Sequence, residues 1–222
     1  FFSDSTTGTT TAFPEFIPGY NHGRSDFHAT HSWVLNFTWE VPFGRELSGA
    51  AGALFRGWQI SGIATLRSGS PLTVFVQANR SRSQWLPSLA PGVGQDRPSY
   101  AVGYGPDNAV LGRPDQWFDP AAFRLQEAGT FGDTGRGDFV GPNLRTVDLG
   151  FVKASSRGIN ETGRLEFRVE VFNLFDRVNF GPPALIAFAG NTDNEQPLSS
   201  FGRIRTTVTA ARQVQLGIRI VF

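Results

Sequence analysis

Five stretches of the chain alternate apolar and polar residues with the period of two that marks a strand with one apolar face. In the first, Trp33, Leu35, Phe37, Trp39 and Val41 alternate with Ser32, Val34, Asn36, Thr38 and Glu40. In the second, Trp58, Ile60, Gly62, Ala64 and Leu66 alternate with Gln59, Ser61, Ile63, Thr65 and Arg67. The third is shorter, with Val147, Leu149 and Phe151 against Thr146, Asp148 and Gly150. The fourth sets Leu165, Phe167, Val169 and Val171 against Arg164, Glu166, Arg168 and Glu170. The fifth sets Val214, Leu216, Ile218, Ile220 and Phe222 against Gln213, Gln215, Gly217, Arg219 and Val221. A helical stripe through the fourth stretch would mix Arg168 with Leu165 and Val169, so helix fails there. The β-branched and aromatic content favours strand as well.

The connections alternate in length. Residues 42–57 and 154–162 are short, whereas 68–145 and 176–211 are long. Transmembrane barrels have short periplasmic turns and longer extracellular loops. With the C-terminal end periplasmic, both long connections fall outside the cell. A loop as long as 68–145 with no pattern of its own is unusual in a compact soluble domain. The row Arg164, Glu166, Arg168, Glu170 needs water or mutual pairing, which either a solvated outer face or a polar barrel lumen would supply. Phe222, in register with four apolar residues, fits a closing strand. The expectation is an all-β fold: the C-terminal antiparallel strands of a transmembrane β-barrel with long extracellular loops. Residues 1–222 are read as one C-terminal barrel segment.

Composition narrows this further. The chain begins at Phe1 and holds no Met, and it is read as a piece of a longer precursor. No stretch approaches the roughly 18 consecutive apolar residues of a membrane helix. If it crosses a bilayer, it does so with strands, since only helices and closed barrels satisfy every backbone group in lipid. The 26 Gly and 14 Pro suit many turns and long loops. A net charge of +1 gives no reason to expect a nucleic-acid partner. The absence of Cys excludes disulfides, thiolate metal sites and Cys nucleophiles.

Several runs carry a resemblance. They include Gly57-Trp58-Gln59-Ile60-Ser61-Gly62-Ile63, followed by Arg67-Ser68-Gly69-Ser70-Pro71-Leu72-Thr73-Val74. Next come Trp117-Phe118-Asp119-Pro120-Ala121-Ala122-Phe123, Gly129-Thr130-Phe131-Gly132 and Gly141-Pro142. Arg164 to Phe175, Asn179-Phe180-Gly181, Phe201-Gly202-Arg203-Ile204 and Arg212 to Gly217 follow in order. Together, from about His31 to Phe222, they resemble the Oar-like family of TonB-dependent outer-membrane receptors. The resemblance implies a barrel of about 22 strands in the bacterial outer membrane. It also implies an upstream plug and energy supplied through TonB. The expected partners are outer-membrane lipid, the protein's own upstream strands and plug, and TonB through an N-terminal region. The expected role is receptor-mediated uptake of a scarce solute.

The residues offer little catalytic chemistry. No Gly-x-Ser-x-Gly elbow is present, and His22, His28 and His31 match no standard metal-ligand spacing. The run Gly132 to Asp138 lacks the Lys-Ser/Thr ending of a phosphate loop. Its Arg136-Gly137-Asp138 tripeptide resembles an adhesion motif but is too short to identify one. Glu166 and Glu170 would stand about 13 Å apart along a strand, too far for a glycosidase pair. No catalytic, cofactor-binding or metal site is therefore expected, and no enzyme. The expected lumen-lining residues are Arg164, Glu166, Arg168, Glu170, Gln213, Gln215 and Arg219. The expected lipid-facing residues are Trp39, Trp58, Leu165, Phe167, Val169, Val171, Leu216, Ile218, Ile220 and Phe222. Trp39 and Trp58 would mark the periplasmic aromatic girdle and Trp33 the outer one. Two alternatives stand beside transport: an adhesion or surface-interaction barrel, and a soluble carbohydrate-binding β-sandwich. The sandwich would hide the apolar face that a barrel turns to lipid.

Overall fold

Each of the five alternating stretches becomes a strand in the computed structural model, which describes residues 2–3, 19–20, 22–83, 96–155 and 164–221. They are β1 (Ser32–Glu40), β2 (Trp58–Arg67), β3 (Leu144–Ser155), β4 (Arg164–Phe172) and β5 (Gln213–Val221). They form one sheet in the order β5-β4-β3-β2-β1, each antiparallel to its sequence neighbour. Strand β3 runs beyond the predicted stretch at both ends. Its extra residues include Arg145 on the apolar side and Val152 on the polar side, which break the alternation that sequence reasoning reads. Phe222 lies outside the described residues, and Arg164 is described in its backbone only.

Partners across an antiparallel pair point to the same side of a sheet. The register therefore tests whether the five separate alternations belong to one surface. Trp39 pairs with Ile60, Ile60 with Phe151, Phe151 with Val169, and Val169 with Leu216. The next row is Phe37, Gly62, Leu149, Val171 and Val214. On the other side, Thr38, Ser61, Gly150, Glu170 and Gln215 form one row. A slip of one residue at any pair would have mixed the two surfaces.

Gly62 shows how closely the apolar rows pack. A Cβ there would lie 2.5 Å from the Phe37 ring and 2.8 Å from Leu149. The aromatic ring lies over the glycine and covers backbone that no side chain protects. Gly57 precedes β2 with φ +71°, where a side chain is strained. The β1–β2 connection also holds one short helix, α1 (Gly49–Phe55), where the residue pattern predicts only a turn.

The chain divides into two compact units. The sheet unit comprises His31–Arg67, Leu144–Asn179 and Thr207–Phe222. The loop unit comprises Phe1–Thr30, Ser68–Asn143 and Phe180–Thr206. This corrects the expectation that 68–145 is structureless. Phe118 stacks on Phe201 at 5.2 Å and meets Phe139 edge-on at 5.2 Å, with Phe123 closing the cluster. Leu72, Val74, Val76 and Phe188 complete the buried set. Short strands frame it. Pro71–Leu72 pairs with Phe139–Val140, Ser99–Tyr100 with Phe123–Arg124, and Phe75–Val76 runs parallel to Ile186–Phe188. Pieces this short carry no readable period, and the two long connections together supply the core.

Candidate functional site

The polar surface of the sheet unit gathers side chains from all five strands. Glu166 is the register partner of Arg219, and Glu170 of Gln215. Arg168 lies 3.7 Å from Glu170 along β4. Gln213, Gln215 and Arg219 alternate on β5 on the same side as Glu166, Arg168 and Glu170. The predicted ladder thus lies on one surface, and the Arg168–Glu170 ion pair is half-exposed, so water screens it. A hollow of about 550 Å³ opens on this surface. Asn36, Thr38, Ser61, Asp148, Glu170 and Phe172 are among the residues that line it.

The apolar surface is uncovered. Leu216 and Ile218 are 71% and 70% exposed, and Trp33, Trp39, Leu165 and Phe167 are exposed too. A soluble sandwich would cover these residues, and burying them would be its main source of stability. Trp39 and Trp58 lie toward the end with the short turns, and Trp33 toward the end with the long connections. Six residues of strand separate Trp33 from Trp39, about 20 Å at 3.3 Å per residue. At the short-turn end, Trp58 donates to the Leu54 carbonyl of α1 at 2.9 Å, and Lys153 donates to the Arg56 carbonyl. Both ring and ammonium contacts fasten the turn to the sheet.

Two asparagines finish the long-loop end of the sheet unit, and sequence reasoning missed their role. Asn179 is fully buried. Its carboxamide accepts from Arg145 N at 2.9 Å and donates to Arg145 O at 3.1 Å, replacing a strand partner for β3. It also donates to the Thr209 hydroxyl at 3.0 Å. Asn173 has φ +50° at the end of β4. Its side chain donates to Arg177 O and Ala210 O, both at 3.0 Å, and its N–H donates to Asp148 at 2.8 Å. Asn tolerates the left-handed backbone that this turn requires. The only signal in the sequence was their place inside the Val171–Phe175 and Asn179–Gly181 runs.

In the loop unit, the tripeptide Arg136-Gly137-Asp138 is built into the fold. Arg136 is 2% exposed. Asp138 accepts from Gly135 N at 2.6 Å and from the Tyr100 hydroxyl at 2.8 Å. Burial, and next the Asp138 carboxylate, hold the Tyr100 phenol well above its ordinary range. The tripeptide is thus no exposed adhesion loop. Arg97 is buried over the Tyr20 ring, 3.7 Å from its centroid, and donates to Tyr20 O at 2.6 Å. A polar cleft of about 860 Å³ lies between the 120–128 and 193–197 segments. Arg80, on its wall, is engaged by Gln126 O, Thr192 O and the Asp193 carboxylate. The Glu195 carboxylate accepts from the N–H groups of Gly190, Asn191 and Thr192. Partial burial opposes its charge, but these bonds outweigh that and lower its pKa. His22 and His28 lie in the loop unit and His31 in the sheet unit.

An antiparallel meander with one exposed apolar surface and one polar surface is the pattern of a transmembrane β-barrel wall. The family model of the outer membrane beta barrel domain matches residues 2–215. The chain belongs to that family, and its place is the bacterial outer membrane, in contact with lipid. Comparison with curated proteins and with solved structures gave no match.

Proposed function

We propose that this chain is the C-terminal part of a barrel that takes up a scarce solute across the outer membrane, driven through TonB in the intact protein. The observation that carries the reading is the polar surface. Five strands place Asn, Gln, Ser, Thr, Glu and Arg side chains in aligned rows, and four of them line one hollow with Asn36, Thr38, Ser61, Asp148 and Glu170. Such a surface suits a hydrated lumen, and the collinear runs from His31 to Phe222 resemble TonB-dependent receptors. In this reading Arg164, Glu166, Arg168, Glu170, Gln213, Gln215 and Arg219 line the lumen. Trp39, Trp58, Leu165, Phe167, Val169, Val171, Leu216, Ile218, Ile220 and Phe222 face lipid. The outer strands β1 and β5 are the edges that upstream strands of the same protein would cover, since an open edge cannot persist in lipid. The role is transport and not catalysis.

The folded loop unit favours a second reading, a surface-interaction barrel in which the loops bind a partner and nothing is moved. One comparison separates the two. Solute accumulation is measured in cells with the full-length protein, without it, and with it but with TonB inactivated. Transport predicts a solute whose uptake falls equally in the last two strains. Unchanged uptake of every solute, with loss of surface attachment in the deletion, would support the interaction reading instead.

A further inference from the structure

The cleft of about 860 Å³ belongs wholly to the loop unit. Its size falls within the range of about 300–1,000 Å³ typical of small-ligand sites. Parts of its wall are held in shape. Arg80, with a side chain 8% exposed, is fixed by Gln126 O, Thr192 O and the Asp193 carboxylate. The Glu195 carboxylate gathers the N–H groups of Gly190, Asn191 and Thr192. Between them Asn194 takes φ +61°, a backbone conformation that Asn tolerates. A site shaped before binding loses less freedom when it binds.

Other polar groups of the wall have no partner among the described residues. Gln126 lines the cleft and is 2% exposed, and its Nε2 donates to the Asp96 carboxylate at 3.4 Å. A carboxylate only accepts, so this contact sets the orientation of the amide. Oε1 is then left buried with no hydrogen bond. A buried acceptor without a donor is costly, and a donor from a ligand would satisfy it. Glu127, exposed on the same segment, makes no ion pair or side-chain hydrogen bond among the described residues, and neither do the exposed carboxamides of Asn194 and Gln196. Arg124 donates through Nε to Tyr100 O at 2.9 Å, which leaves its two terminal nitrogens free among the described residues.

The chemistry of these groups narrows the ligand. They offer both donors and acceptors, as a hydroxyl does. The planar ends of Asn, Gln, Glu and Arg can each hold two neighbouring hydroxyls. Pro120, Leu125 and Pro197 add half-buried apolar surface for the C–H faces of a sugar ring. Two arginines stand against three carboxylates in the lining, so its net charge does not favour an anion. Among the described residues the carboxylates do not converge into a cation site. None of the exposed large hydrophobic residues described lines the cleft, so a peptide would find no apolar anchor there.

We propose that this cleft binds a neutral oligosaccharide, with Arg124, Gln126, Glu127, Asn194 and Gln196 reading its hydroxyl groups. The inference rests on the loop unit alone and not on the transport reading. The glycan is the solute if the barrel transports, and part of the partner if it does not.

The test is isothermal titration calorimetry on the full-length protein in detergent micelles. The probes are malto-, cello-, manno- and xylohexaose, with hexagalacturonate and a polar hexapeptide for comparison. At least one neutral hexasaccharide should bind, and the acidic sugar and the peptide should bind more weakly. An ordinary hydrogen bond is worth about a fivefold change in affinity. The double variant Glu127→Ala/Gln196→Ala, which alters two exposed side chains, should therefore bind about 25-fold more weakly. Gln126→Leu should weaken binding about fivefold, and Glu127→Gln should keep most of the affinity. The comparison among probes needs no variant, so a Gln126→Leu protein that fails to assemble leaves the proposal falsifiable. Binding of none of the neutral sugars overturns it. Tighter binding of hexagalacturonate or of the peptide overturns the ligand class. Equal affinity of the native protein and the double variant overturns the site. Glycan binding that persists while uptake of that glycan is the same with and without TonB sinks the transport reading alone.

Discussion

Two neighbouring residues on β4 carry opposite expectations. Val169 shares a row with Phe151 and Leu216, and Arg168 lies on the other surface beside Glu170. A basic residue on the lipid side costs about 2–4 kcal/mol at mid-depth. Val169→Arg should therefore strongly reduce folded, heat-modifiable protein in the outer membrane. Arg168→Val removes one half-exposed partner of a 3.7 Å ion pair, and pairs of that kind contribute about 0–1 kcal/mol. Its effect on assembly should be small. If the two outcomes are reversed, the sides have been assigned the wrong way round. Asn179 makes a separate case. Asn179→Ala leaves both the N–H and the C=O of Arg145 without their partner. An unsatisfied buried group costs about 1–3 kcal/mol, so urea unfolding of the full-length protein should show a loss in that range. A change well below that range would mean that water replaces the carboxamide.

Between strands, Gly62 of β2 and Phe37 of β1 behave as one unit. Overpacking costs about 1–3 kcal/mol, and Gly62→Val places new atoms where the Phe37 ring lies. The cost should shrink when Phe37→Ala is present, as a double-mutant cycle on assembled protein would show. Additive effects would mean that the ring does not cover the glycine. All five strands were legible in the sequence, with ends within a few residues, because each alternates strictly and each has one apolar side. Their antiparallel order followed from the alternation of short and long connections. The register could not be read, since it depends on cross-strand pairing, yet the result keeps all the apolar rows together. The core of the loop unit was not legible. Phe118, Phe123, Phe139 and Phe201 lie far apart in the chain, and no window displays them as a set. The lumen candidates were legible as an alternating row. The Asn173 and Asn179 clamps were not, because a turn-capping carboxamide leaves no periodic trace. Arg145 was missed because the third predicted stretch stopped short of it.

Across the chain as a body, one sequence encodes two kinds of surface chemistry. The sheet unit leaves its hydrophobic residues exposed on one side, the side proposed to meet lipid. The loop unit buries Phe118, Phe123, Phe139, Phe188 and Phe201 in a core of its own, as a water-exposed fold does. Everything above depends on the apolar side of the sheet facing lipid and its polar side facing a hydrated lumen. Single cysteines placed in turn from Leu165 to Val171 in the full-length protein, assembled in its membrane, put this to the test. Each is challenged with a membrane-impermeant thiol reagent and, after fluorophore attachment through a permeant one, with a lipid-borne quencher. Strict alternation is expected. Cysteines at Leu165, Phe167, Val169 and Val171 should be quenched from the lipid and shielded from the aqueous reagent. Cysteines at Glu166, Arg168 and Glu170 should react from water and escape the quencher. An inverted pattern, or uniform reactivity along the strand, would show that the two sides of the sheet do not face lipid and lumen in this way.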